Sequence, residues 1–427
     1  MRILVIVHDH PELRPGGSEI AAYTLFRGLQ QVAGVEAFFL ARSGAAARRR
    51  GGTPFSAFRG APDQFLMFTE DTDSFLFSQR SDQVIAGFRQ MLERLKPDVI
   101  HFHHYIYIGL ELIALARTVN PKVRIVVTLH EYWAICASDG QMVKANSIEL
   151  CHAASPHECA ACFPQIAPSE FLLRELFIKS HFDKVDTFIA PSEFLRQRYV
   201  AWGLPAWQIV TLENGIAPVA PPPPRPLAEG ERRGVFGFFG QVTPYKGLIP
   251  LLAAFERLDH YPAQLTQGIR LVVNGANLEW NQQAYIDKIT GLLTRTAHRV
   301  HFAGSYRRGE LHRLMSAVDW VVVPSSWWEN SPLVIQEALA HRRPIICSNI
   351  GGMAEKVRWG QDGYHFAPAN PVELAQLVVQ LANSETVWDE LQRTMRRPTT
   401  VAEAVERHLE LYRDDAFGIA GEAAEPS

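Results

Sequence analysis

Short β-branched runs alternate with longer stretches of helical period along almost the whole chain. Arg2 to Val7 leads to a helix expected from about Ser18. Val35 to Leu40, Val99 to Phe102, Val123 to Leu129 and Thr187 to Ala190 follow with helical stretches between them. The alternation restarts at Val235 to Phe239, then a helix after Lys246, then Ile269 to Val273, Val300 to Phe302, Trp320 to Pro324 and Pro344 to Ser348. Strands that alternate with helices in this way build parallel sheets with crossover helices. The expected fold class is therefore α/β, with two Rossmann-like, doubly wound parallel-sheet domains. The expected division is residues 1–216, a linker at 217–233, a second domain at 234–398, and a C-terminal helix and tail at 399–427 that packs back on the first domain. Pro218, Pro221 to Pro224 and Pro226 mark the linker, because proline cannot donate to a ladder and favours extended geometry. The loop around Arg48, Arg49 and Arg50, between Gly44 and the pair Gly51-Gly52, lacks an apolar period and reads as mobile. The segment after Tyr412 reads as frayed.

Composition sharpens the picture in a few places. A chain of 427 residues is long for one core and comfortable for two. A net charge of −3 provides no bulk attraction for nucleic acid or anionic lipid, so an anionic ligand must be caught locally. The apolar start is interrupted by His8, Asp9 and His10, too early for a signal peptide, and reads as a buried first strand. No apolar run reaches the roughly 18 to 20 residues of a membrane span. The expected location is the cytosol, at most peripheral to the inner membrane surface, with reduced thiols.

Open parallel sheets bind ligands outside the carboxyl ends of their strands, so two facing sheets are expected to present their loops to a shared cleft. Pro15-Gly16-Gly17-Ser18-Glu19 follows the first strand and opens a helix. It is either an ordinary strand-to-helix turn or a loop whose amides approach a phosphate at the helix N-terminus. Pro324-Ser325-Ser326-Trp327-Trp328-Glu329-Asn330-Ser331-Pro332-Leu333-Val334-Ile335-Gln336-Glu337-Ala338 is the more informative segment. Ser331 is expected to cap a helix with Pro332 in its first position, leaving the amides of Leu333 and Val334 to face an anion. Glu337 lies four residues after Leu333 and shares its face, while Glu329 precedes the cap. Two carboxylates beside an anion-binding helix end suit a ligand that carries both phosphates and hydroxyls, as a nucleotide sugar does; the plainer alternative is a capped surface helix.

The Glu329-to-Glu337 spacing, Gly16-Gly17 after the first strand, Gly240 with Lys246-Gly247, and Ser348-x-x-Gly351-Gly352-x-x-Glu355 together resemble the GT-B retaining glycosyltransferases of family 4, from Arg2 to about Asn383. The resemblance implies transfer of a sugar from a nucleoside diphosphate sugar to a hydroxyl of a glycan, a lipid-linked glycan or a small molecule, with retention. The sequence has no aspartate-rich metal motif, so no catalytic metal or cofactor is expected. The resemblance also implies that Gly16 and Gly17 contact the donor diphosphate from one side and Lys246 from the other, and that Glu337 holds the ribose. Glu329, with the Asn330-Ser331 backbone, is implied to hold the sugar and phosphate. His130 stands where the family often has a histidine against the sugar, although a solvated loop histidine is the plainer reading. Many relatives carry arginine directly after the glycine equivalent to Gly240; here Gln241 donates hydrogen bonds without charge, and Arg307 or Arg308 either compensates or is solvated.

Two other classes compete. A nicotinamide oxidoreductase requires the three-glycine fingerprint with an acidic residue about 20 positions on, which the chain lacks. A non-catalytic nucleotide-sugar-binding scaffold is favoured only by Gln241. The run His101-Phe102-His103-His104 invites a metal but has no carboxylate or cysteine at ligand spacing, so it reads as a loop on the acceptor side, with Tyr105 and Tyr107 either stacking on sugar or packing in the core. Cys136, Cys151, Cys159 and Cys162 fall in one segment. The Cys159–Cys162 spacing suggests a structural zinc site, with unligated thiols or a redox pair as alternatives. Cys347 reads as a small buried hydrophobe.

Overall fold

A computed structural model of the chain describes residues 1–44, 53–69, 72–145, 147 and 149–413. The loop at Arg48 to Arg50 and the tail beyond Arg413 lie outside the described residues. The chain forms two compact units: Met1–Ala217 together with the residues from Thr399 onward, and Pro218–Pro398.

The first unit is built on β1 (Arg2–Val7), β2 (Glu36–Ser43), β3 (Phe55–Ala57), β4 (Gln64–Phe68), β5 (Val99–Phe102), β6 (Arg124–Thr128), β7 (Thr187–Ala190) and β8 (Ile209–Thr211). Their order is β3-β4-β2-β1-β5-β6-β7-β8. All neighbours run parallel except β3 and β4. Both faces of β1 are buried: Ile3, Val5 and Val7 join Phe26 and Phe39 in one cluster, and Leu4 and Ile6 are fully covered as well. That is why its sequence is apolar without alternation. The chain re-enters this unit through a parallel bridge between Ile216 and Thr400. The helix Val401–Arg413 then places Val405, Leu409 and Tyr412 in the same core. It lies against the helix Gly17–Leu29 so closely that a Cβ on Gly28 would come within 2.6 Å of the Val401 side chain.

The second unit contains β9 (Val235–Gln241), β10 (Arg270–Ala276), β11 (Val300–Phe302), β12 (Trp320–Val323), β13 (Ile345–Ser348) and β14 (Gly363–Phe366). All are parallel, in the order β11-β10-β9-β12-β13-β14. Most of the proline-dense run belongs to this unit. Arg225 donates to the fully buried Asp319 at 2.9 Å, and Arg343 donates to the Pro223 carbonyl at 3.0 Å. The run is thus fastened at Pro223 and Arg225.

Among the parallel strands of each sheet the order reverses at one place, between β1 and β5 in the first unit and between β9 and β12 in the second. Loops leaving the carboxyl ends of strands at such a switch point diverge and leave room for a ligand. Among the described residues no helix is long and apolar enough to cross a membrane.

Candidate functional site

In the second unit the loops after β9 and β12 meet at the switch point. Pro244–Lys246 forms a single 3₁₀ turn, and Gly247 follows at φ +72° before the helix Leu248–Arg257. A Cβ on Gly247 would sit 1.8 Å from the Pro324 carbonyl oxygen, so only glycine lets the two loops close. The Ser326 amide donates to the Tyr245 carbonyl at 2.8 Å and completes the seam.

This closure brings Lys246 to Glu329, 83 residues apart: Nζ donates to Oε1 at 2.5 Å. The Ser325 hydroxyl donates to the same oxygen at 2.8 Å, and Lys246 Nζ lies 5.6 Å from the centre of the Trp327 ring. Glu329 is buried and its backbone is held as well, since the Gly352 amide donates to its carbonyl at 2.7 Å. A Cβ on Gly352 would fall 1.5 Å from the Asn330 carbonyl oxygen. The paired glycines Gly351-Gly352 are therefore a seat for the Glu329-Asn330 backbone.

The helix expected at Pro332 begins one residue later, as Leu333–Ala340 with Pro332 as the cap. Ser331 is not the capping residue: its hydroxyl is buried with no hydrogen-bond partner. Proline has no N–H and a fixed φ, so the turn is set by the ring instead of a serine side chain. Leu333 and Val334 occupy the first two helical positions, where amides have no acceptor within the helix. Glu337 is one turn on, half-buried, and its carboxylate makes no hydrogen bond among the described residues. Burial pushes its pKa up, and the nearby charge of Arg308 only partly offsets that. Arg308 thus acts on Glu337, while Arg307 opens a 3₁₀ turn, its amide bonded to Glu310 at 2.9 Å. Gln241 is exposed at the end of β9.

In the first unit Gly16 is the cap of the helix Gly17–Leu29. Glu19, unassigned from the sequence, proves to control this turn. Its carboxylate folds back over Gly16, where a Cβ would come within 2.4 Å of Oε2. It is paired with His8 Nε2 at 2.9 Å and accepts from the Ser18 hydroxyl at 3.0 Å. Burial opposes this ionised pair, but the hydrogen bond between the two holds Glu19 down at about 2 and raises His8. The helix end is therefore already faced by a carboxylate, and the charge presented to an anion at Gly16-Gly17 depends on His8⁺ balancing Glu19. A Cβ on Gly17 would touch nothing within 4 Å.

The histidine run is not a loop throughout. His101 lies in β5, fully buried, bonded to the Thr128 hydroxyl and the Tyr412 hydroxyl, each at 2.7 Å. His103 Nδ1 is 3.0 Å from Nε2 of His130, which stands two residues past the end of β6. His104 comes within 3.8 Å of Glu131. Tyr105 packs in the core against Phe77 and Phe182, whereas Tyr107 is exposed beneath Arg42. Among the described residues the only grouping with ligand atoms mutually within 4.8 Å is His8, Asp9 and Glu19, so the histidine run gathers no metal set. Nor do three of the cysteine sulfurs come that close. Cys159 and Cys162 sit on the helix Pro156–Cys162, with Cys136 and Cys151 in the irregular segment before it. Burial raises the thiols of Cys136 and Cys151 and pushes Cys159 up to about 11, which makes them poor nucleophiles. Cys347 is fully buried in β13.

Residues 224–399 match the family model for glycosyl transferases group 1, and residues 15–219 match that for glycosyltransferase family 4. Among characterised relatives, a lipopolysaccharide 1,2-N-acetylglucosaminetransferase of Salmonella typhimurium is 30% identical over 188 residues, 42% of this chain and 48% of the relative. A glycogen synthase of Mycobacterium tuberculosis is 29% identical over 163 residues, 38% of this chain and 37% of the relative. The matched stretches thus span about half or less of these relatives' lengths. Among solved structures, HepE of Anabaena in complex with UDP-glucose superposes with a TM-score of 0.63 at 17% identity, over 96% of this chain and 99% of that one. Sucrose-phosphate synthase of Thermosynechococcus elongatus gives 0.67 at 18%, over 96% and 98%. At such identities these superpositions establish the fold.

Proposed function

The chain belongs to the GT-B glycosyltransferases of the family 4 type, and we propose that it transfers a glycosyl group from a nucleoside diphosphate sugar to a hydroxyl acceptor with retention of configuration. The observation that carries this reading is the pairing of Lys246 with Glu329 at the switch point of the second sheet, beside the unsatisfied helix end at Leu333 and the unpaired carboxylate of Glu337. An ammonium has three donors, so Lys246 keeps its bond to Glu329 and still offers two to a diphosphate. Glu329 aims the lysine and, with Asn330 and Ser331, holds the sugar and its phosphate. Glu337 accepts from the ribose hydroxyls. On the first unit, Gly16 and Gly17 approach the diphosphate and His130 faces the transferred sugar.

The bond from the anomeric carbon to the phosphate oxygen breaks through an oxocarbenium-like state while charge gathers on the departing diphosphate. The acceptor oxygen bonds to that carbon on the same face, and its proton passes to the departing diphosphate. Preorganised donors at the leaving group carry the rate, and they are Lys246 and the amides of Leu333 and Val334. With no charge at Gln241, the single lysine bears more of this work. UDP-glucose is the first donor to test, since the Anabaena neighbour binds it, and a glycan or lipid-linked glycan is the first acceptor class, since the Salmonella relative acts on lipopolysaccharide. Release of nucleoside diphosphate across a donor panel is the assay. A donor that binds without any turnover, with every acceptor class, defeats the enzymatic reading.

We also propose that zinc draws Cys136, Cys151, Cys159 and Cys162 together to brace their segment, on the strength of the Cys159–Cys162 spacing. About one zinc per chain in protein purified without a metal-affinity tag supports this, and folded, active, zinc-free protein refutes it.

A further inference from the structure

We propose that His103 is a positioning residue for the transfer, fixing the ring and the tautomer of His130; the inference rests on the role given to His130 above. His103 follows β5 and His130 follows β6, adjacent parallel strands. Their rings stack at 26° with centres 5.3 Å apart, and His103 Nδ1 lies 3.0 Å from His130 Nε2. Two neutral imidazoles can share one proton on that line in only two ways. If His130 donated, the hydrogen of neutral His103 would sit on Nε2, which is buried and has no hydrogen-bond partner. If His103 donates, the same buried atom is a bare lone pair. An orphaned buried N–H is the rarer and costlier outcome, so His103 Nδ1–H donates and His130 carries its hydrogen on Nδ1.

Both rings remain neutral in this scheme. Burial pushes His103 well below the usual histidine range, and pushes His130 down to about 3, the neighbouring histidines adding to the effect. His103 is itself held from behind. It is 2% exposed, and the ring of His101 packs 4.2 Å away, anchored to Thr128 and to Tyr412 of the returning helix. His130 is thus supported by a row of side chains with little freedom to turn, which is what an oriented donor to a sugar oxygen requires.

The test compares His103→Phe, His103→Asn, His103→Gln and His130→Ala by turnover of the productive donor, donor KM and Tm. Asparagine places its amide nitrogen near the position of Nδ1, whereas glutamine reaches the position of Nε2. His103→Phe and His103→Gln are expected to lower kcat by about 10- to 50-fold at unchanged donor KM, as loss of an orienting hydrogen bond does. His103→Asn is expected to stay within about threefold of wild type. His103→Phe combined with His130→Ala should be no slower than His130→Ala alone. Should His103→Phe fail to fold, the contrast between asparagine and glutamine decides. Equal activities for those two variants, or a fully active phenylalanine variant beside an inactive His130→Ala, overturn the inference and leave the role of His130 intact. A fully active His130→Ala overturns the role of His130 itself.

Discussion

Replacing Lys246 by alanine removes the ammonium that donates to Glu329 at 2.5 Å, and the consequences divide into two that can be measured separately. The first is structural. Glu329 keeps the hydroxyl of Ser325 at 2.8 Å but loses its cationic partner while its side chain is only 7% exposed. Breaking a fully buried pair costs about 3–5 kcal/mol. The side chain of Lys246 is 32% exposed, however, so water reaches the stranded carboxylate and about 1–2 kcal/mol is the expected cost. At about 2–4 °C per kcal/mol for a unit of this size, Tm should fall by about 2–8 °C. The second consequence is catalytic. Loss of a cation aimed at the departing diphosphate should slow turnover by about 100-fold or more, about 2.7 kcal/mol of barrier. Adding Glu329→Gln to Lys246→Ala removes the stranded charge, so the double variant should regain most of the Tm and none of the turnover. Calorimetry and release of nucleoside diphosphate read the two effects. Turnover that returns together with Tm would mean that Lys246 only holds Glu329, and a single variant within threefold of wild type would remove Lys246 from the mechanism.

Glycine substitutions separate contact with the ligand from closure of the fold. Gly17→Ala should fold as wild type, because its Cβ meets nothing, yet bind the donor about tenfold more weakly; Gly247→Ala, with its Cβ 1.8 Å from a carbonyl oxygen, should fail to yield folded protein, and the opposite pattern in binding and yield would refute both placements. His8 contributes stability that is complete below its unfolded pKa of 6.5 and fades as pH rises through the raised folded value, whereas Glu19 contributes above 4.5 and fades towards about 2. His8→Gln should therefore lower Tm most between pH 4.5 and 6.5, and a deficit constant up to pH 9 contradicts the pairing. Burial raises the pKa of Glu337, so its ionised form costs stability above 4.5 and is lost early on acidification. Glu337→Gln should raise the Tm of the free protein at neutral pH, weaken binding of nucleoside diphosphate, and flatten the fall in wild-type affinity at low pH; a titration that keeps the wild-type slope removes the ribose role.

The two sheets were legible because buried parallel strands are written as uninterrupted apolar runs. Arg2–Val7, Val99–Phe102 and Thr187–Ala190 were readable to the residue. Four strands escaped: Phe55–Ala57 and Ile209–Thr211 are three residues each, Gln64–Phe68 follows a proline-containing turn, and Gly363–Phe366 mixes glycine and histidine with two aromatics. Such segments take strand geometry from a neighbour's ladder and leave no period in the sequence. The candidate site divides along the same line. Lys246, Glu329 and Glu337 were visible through motif order, but their relations were not. No spacing foretells that Lys246 would bond Glu329, that Pro332 would displace Ser331 as the cap, or that Gly351-Gly352 would seat the Glu329-Asn330 backbone. The Gly16-Gly17 turn makes the same point in electrostatic terms. From the sequence it is a positive helix end awaiting a phosphate. In the fold it is faced by the carboxylate of Glu19, and His8, eight residues before Gly16, decides whether an anion meets a neutral pair or a bare negative charge. The charge at that turn is therefore set by a partner that arrives from the end of β1. A side-chain pairing across a turn, which no period in the sequence marks, is what sequence reading recovers least.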